Sequence, residues 1–119
     1  MFLSATRNYD VGPLQALIDE LEFNVVISTN VEVGCMFLDD QFRRAIREGA
    51  IATLVDDLKH VILEAYRAMG SANQTISAIY TYRISGTTPK NEASSSVLVA
   101  KPKVLKARDE LLRFLSSEP

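Results

Sequence analysis

The sequence predicts an α/β domain: a single five-stranded, mostly parallel sheet with helices on both faces. Three observations carry that expectation. Short apolar runs alternate with amphipathic stretches through the first seventy residues, the pattern that writes a parallel sheet. The run Ala50-Ile51-Ala52-Thr53-Leu54-Val55 is nearly all apolar, as a central strand covered on both faces requires. It ends in Asp56-Asp57, and carboxylates at the C-terminal end of such a strand stand where open α/β sheets bind ligands.

Each element follows in order. Phe2-Leu3-Ser4-Ala5 reads as a short first strand, and the polar run Thr6 to Asp10 as the loop before Pro13, which suits a first helical turn. Leu14, Leu17, Ile18 and Leu21 then repeat at helical spacing. Asn24 to Ser28 is a β-branched run of strand length, followed by a loop from Thr29 to Met36. Leu38, Phe42, Ala45 and Ile46 form a second helical stripe. Asp39 and Asp40 stand at its start, Arg43, Arg44 and Arg47 toward its end, and Gly49 stops it.

After the central strand, a helix over Leu58 to Met69 ends at Gly70, with Val61, Ile62, Ala65, Ala68 and Met69 inward. Thr75 to Ile84 alternates like a strand near the sheet's edge. Ser85 to Ser95 is a long loop, a candidate lid, before a last strand at Val97-Leu98-Val99-Ala100. Val104, Leu105, Leu111, Leu112 and Leu115 give the apolar face of a C-terminal helix. Leu17, Leu21, Val26, Ile46, Leu54, Ile62 and Ala65 are expected to be mostly buried.

Right-handed crossovers favour the strand order 2-1-3-4-5 of flavodoxin-like folds, with the switch point between the first and third strands. The loops beginning at Thr6 and Asp56 then flank one crevice. They hold the polar residues that chemistry would choose: Ser4, Arg7, Asn8, Asp10, Asp56, Asp57 and His60.

Composition narrows the function. The chain has 119 residues, 47% of them apolar, which suits one domain with a core. A net charge of -2 from 13 basic and 15 acidic residues gives no large positive field, so nucleic acid is not expected as a partner. Apolar stretches fall well short of the about 18 residues a membrane span needs, and Met1-Phe2-Leu3 lacks the basic start of a secretion signal. A soluble, cytoplasmic protein without membrane attachment is expected. Cys35 is the single cysteine and His60 the single histidine, so no Cys/His metal site can be assembled. Neither a metal nor a resident cofactor is expected.

Phe2 to Asp10 resembles the opening box of Toll/interleukin-receptor-like (TIR-like) domains: a strand, then Ser and a polar loop ending near an Asp. Glu32-Val33-Gly34 and Phe42 to Ala50 are similar to the second loop and the following helix of such domains. Leu54-Val55-Asp56-Asp57, with Val61 to Met69 after it, resembles the strand-end Asp and helical Glu of the nucleoside 2-deoxyribosyltransferase-like enzymes. This resemblance implies cleavage or transfer at the N-glycosidic bond of a nucleoside, nucleotide or NAD-like molecule. Glu64 would be the nucleophile or electrostatic stabiliser and Asp57 a second acid, while Ser4, Arg7, Asn8, Asp56 and His60 would bind substrate. A carboxylate beside the anomeric carbon suits an oxocarbenium-like transition state. The resemblance also raises the expectation of self-association into a homo-oligomer.

Plainer readings stand beside these. Glu64 flanks an apolar stripe, where a solvated Glu is ordinary. His60, four residues before it, shares its helix face and can form a surface pair. Asp56 and Asp57 can simply cap a helix. Ser4 and Arg7 are common loop residues, and Cys35 reads as a small filler. The enzyme reading therefore has a rival, a catalytically silent TIR-like module that binds a nucleotide or protein partner. A response-regulator-like receiver fits less well, because the first strand ends in Ser4-Ala5-Thr6 rather than an acidic cluster.

Overall fold

The structure is a computed structural model that describes residues 11–29, 36–81 and 87–117. It corrects the expected fold class. Among the described residues there is no strand: the chain folds as α1 (Val11–Thr29), α2 (Asp40–Arg47), a 3-10 turn (Ile51–Thr53), α3 (Asp56–Thr81) and α4 (Thr87–Ser116). The parallel sheet and its flavodoxin-like strand order are absent there, and the strand expected at Phe2–Ala5 lies outside the described residues. No helix among the described residues is long and apolar enough to cross a membrane.

The framework is an α3–α4 hairpin. Along α3, Leu58, Ile62, Ala65, Met69, Ala72 and Ile76 are buried, at alternating steps of four and three residues. Along α4, Ala93, Val97, Ala100, Val104, Ala107 and Leu111 are buried at the same steps. Such a repeat gives each helix one straight apolar seam, the requirement for two long helices to pack nearly side by side. Alanine returns every seventh residue in α4, at 93, 100 and 107, and at 65 and 72 in α3. These small side chains let the two backbones approach closely, while Val97, Val104, Leu111, Ile62, Met69 and Ile76 fill the space between. The hairpin is antiparallel: Glu64 meets Lys103, and His60 shares an opening with Lys106 and Thr75 another with Glu92.

The α1 helix packs against α4. Pro13 sits in its first turn, as expected, and Leu14, Leu17, Ile18 and Leu21 are buried. The helix then runs through the segment expected as a second strand. Asn24, Ile27 and Ser28 prolong the buried stripe, and the hydroxyls of Ser28 and Thr29 donate to the Val25 and Val26 carbonyls of the preceding turn. Strand propensity of a few tenths of a kcal/mol per β-branched residue yields to that packing.

The expected central strand is also corrected. Ala50, Ile51 and Leu54 are buried while Ala52, Thr53 and Val55 are exposed, so the run turns with a period near three. Thr53 Oγ1 closes the turn by donating to the Ala50 carbonyl at 2.7 Å. Thr75 to Thr81 continues α3, and Val97 to Ala100 lies inside α4. Of the residues expected to be buried, Leu17, Leu21, Leu54, Ile62 and Ala65 are so, whereas Val26 is 62% and Ile46 49% exposed.

Two glycines make a contrasting pair. Gly49 ends α2, as expected, with φ of 78°. Its N–H donates to the Ile46 carbonyl at 3.0 Å and that of Ala50 to the Ala45 carbonyl at 2.8 Å, the double closure of a Schellman motif. Gly70, expected as a stop, is instead interior to α3, because the seam resumes beyond it at Ala72 and Ile76. A Cβ at either glycine would meet nothing within 4 Å. The backbone alone therefore decides the sign: Gly49→Ala should destabilise and Gly70→Ala stabilise, each by about 1 kcal/mol in chemical denaturation.

Candidate functional site

Two polar arrangements fix the segment between α1 and α2. Phe37 and Leu38 lie between α1 and α3, and each is held by one asparagine at both backbone groups. Asn73 accepts from the Phe37 N–H at 2.8 Å and donates to its carbonyl at 2.9 Å; Asn24 does the same for Leu38 at 2.9 Å each. One turn before Asn24, the carboxylate of Glu20, only 5% exposed, accepts from the N–H groups of Gln41 and Phe42 at 2.8 and 3.1 Å and from Tyr66 Oη at 2.7 Å. Glu20 thus caps α2 from another helix, at the positive end of the α2 dipole. Phe42 lies flat on Tyr66, with ring centroids 4.0 Å apart.

Burial and the adjoining Glu20 carboxylate push the Tyr66 phenol well above its ordinary pKa. Above about pH 10 the unfolded chain loses this proton while the folded one keeps it, so stability should fall by up to about 1.4 kcal/mol per pH unit. In Tyr66→Phe that alkaline slope should be smaller by one proton, measured by urea denaturation across pH 9 to 11.5. An unchanged slope would show that the phenol ionises freely in the fold.

Beside this buried pin lies an open groove between α3 and α4, lined among the described residues by those two helices. Three hollows follow one another along it. The first, about 210 Å³, is lined by His60, Val61, Glu64, Lys103 and Lys106. The second, about 370 Å³, shares Glu64 and Lys103 and adds Arg67, Ala68, Ser71, Ala72, Ser96 and Val99. The third, about 430 Å³, lies between Thr75 on one side and Asn91, Glu92, Ser95 and Ser96 on the other.

The groove gathers part of the expected site. Glu64 is half-buried and accepts from Arg67 on its own helix and from Lys103 Nζ at 3.5 Å. His60, exposed one turn earlier, opens onto the same hollow. Asp56 and Asp57 are exposed in the first turn of α3, where negative charge complements the helix dipole, and Asp56 pairs with Lys59 at 3.5 Å. Neither lines the groove. Asp57 stands seven residues before Glu64, about 10 Å along the axis. Ser4, Arg7, Asn8 and Cys35, with the expected Thr6–Asp10 wall of the crevice, lie outside the described residues. Sequence reasoning missed Lys103 and Lys106, whose only signal was a cluster of lysines from 101 to 106 on the polar side of a seam.

The sheet-edge crevice with a strand-end acid, on which the hydrolase and nucleotide-binding expectations rested, is absent among the described residues. Comparison with protein-family models, with curated proteins and with solved structures finds no match.

Proposed function

We propose that this chain is a helical interaction module that binds a partner helix in the α3–α4 groove. One observation carries the reading: the hairpin seam is packed on by α1 along α4, yet it also opens as three adjoining hollows, the middle one lined by Ala68, Ala72 and Val99. Val99 is 60% exposed there. Two antiparallel helices present the ridges and grooves into which a further helix nests, and the small side chains there allow a close approach. Helix-in-groove recognition needs such a preformed, partly apolar channel and no reacting group.

The reading is tested by comparing the intact chain with Val99→Arg as bait in crosslinked capture, followed by affinity measurement with the purified partner. Val99 points outward, so the variant should keep its helical circular dichroism and lose the partner. Equal affinity of both baits for that partner would reject the groove as the docking site.

A further inference from the structure

Resting on the docking reading, we infer that the occupant of the groove is an acidic amphipathic helix of another protein. The charge distribution carries this. The chain as a whole has a net charge of -2, yet Arg67, Lys103, Lys106 and His60 converge on one half of the groove against a single carboxylate, Glu64. That carboxylate is already engaged by Arg67 and Lys103. Lys106 and His60 have no carboxylate partner among the described residues. Filling the groove with any partner desolvates Arg67, Lys103 and Lys106 in part, which is tolerable when the partner returns negative charge and unfavourable when it does not.

Spacing specifies a helix as the bearer of that charge. His60, Glu64 and Arg67 follow at one-turn steps on α3, and Lys103 and Lys106 at a one-turn step on α4. Carboxylates at a matching three-residue step on a partner helix would meet Lys103 and Lys106 in register and clear of Glu64, with their apolar neighbours against Val61, Ala68 and Val99. An extended peptide carries side chains on one face at about 7 Å intervals and would fall out of step within two contacts. The further end of the groove adds Ser71, Thr75, Asn91, Ser95 and Ser96 with one carboxylate, Glu92, and no further cation, so the acidic turns of the partner belong at the Lys103 end.

The test uses the intact chain and three labelled synthetic helices of about 18 residues, enough to span the groove, with one apolar seam and either Glu, Gln or Lys at the flanking one-turn positions. Fluorescence anisotropy should show the Glu helix binding about tenfold tighter than the Gln helix and weakening about tenfold between low and high salt, as two or three partly screened ion pairs imply. Lys103→Gln combined with Lys106→Gln should remove that advantage while leaving circular dichroism unchanged, and Lys106→Gln alone, at an exposed position, should remove part of it. Equal binding of the Glu and Gln helices, with loss in Val99→Arg, would overturn the charge inference and leave the docking reading intact. No binding of any helix would count against both. Tighter binding of a thymidine oligonucleotide, or self-association through the groove in sedimentation, would replace the acidic helix as the occupant.

Discussion

Glu20→Ala should lower the stability of this protein by about 3–5 kcal/mol, as much as truncating a large side chain of the core. The carboxylate is buried and satisfies three donors at once: the Gln41 and Phe42 N–H groups and Tyr66 Oη. Its removal leaves the buried Tyr66 hydroxyl and two part-buried N–H groups without that acceptor, and each unsatisfied buried donor costs about 1–3 kcal/mol. Denaturant unfolding of Glu20→Ala measures the sum. Glu20→Gln separates geometry from charge, because its carbonyl oxygen can accept from one or two donors while its amide group opposes the third. A loss in Glu20→Ala under about 1 kcal/mol would mean that water replaces the carboxylate and that α2 is not anchored in this way.

That anchor was hidden in the sequence by a misassigned period. In a helix running from Val11 to Thr29, Glu20 and Asn24 fall one turn apart among Leu17, Leu21 and Ile27, and two polar residues inside an apolar stripe announce a buried network. Once Asn24 to Ser28 is assigned to a strand, the stripe ends at Leu21 and Asn24 becomes an ordinary flank. The same substitution of period occurred three more times. Ala50 to Val55, Thr75 to Thr81 and Val97 to Ala100 are short, apolar or β-branched runs, and runs of that length do not distinguish a strand from one or two turns of helix. What distinguishes them is continuity over a longer span. Ala93, Val97, Ala100, Val104, Ala107 and Leu111 keep an unbroken four-three rhythm, but Ser94-Ser95-Ser96 and Pro102 interrupt its reading, just as Gly70 interrupts the rhythm of α3.

Elements with their own punctuation were legible: Pro13 at the start of α1, the charge order of α2 and its stop at Gly49, and Ile62, Ala65 and Met69 inward on α3, while Val61 and Ala68, expected inward, line the groove. The candidate site was half legible for a related reason. His60 and Glu64 share a helix face by local spacing alone, whereas Lys103 lies 39 residues from Glu64 and joins it only through the hairpin register. That register is set by the seam, and the seam was not read.

Pro102→Ala should stabilise the protein by about 2–3 kcal/mol and raise its melting temperature by about 10 °C. Pro102 stands in the interior of the 30-residue α4, where a proline has no N–H to give and crowds the carbonyl four residues earlier, that of Leu98. The helix survives because the defect faces outward. Pro102 is exposed and Leu98 is 53% exposed, so the freed carbonyl is solvated, while Ala100 and Val104 on the opposite side keep the seam closed across the break. Alanine restores the N–H, fits any exposed helical position and leaves every seam contact in place. Thermal and urea unfolding of the two proteins should agree on the gain. No gain, or a loss, would show that the backbone around Leu98 has adapted to the proline, in which case Val99 and Lys103 on either side of it owe their placement in the groove to that adaptation, and the affinity of the groove for its partner should fall in the same variant.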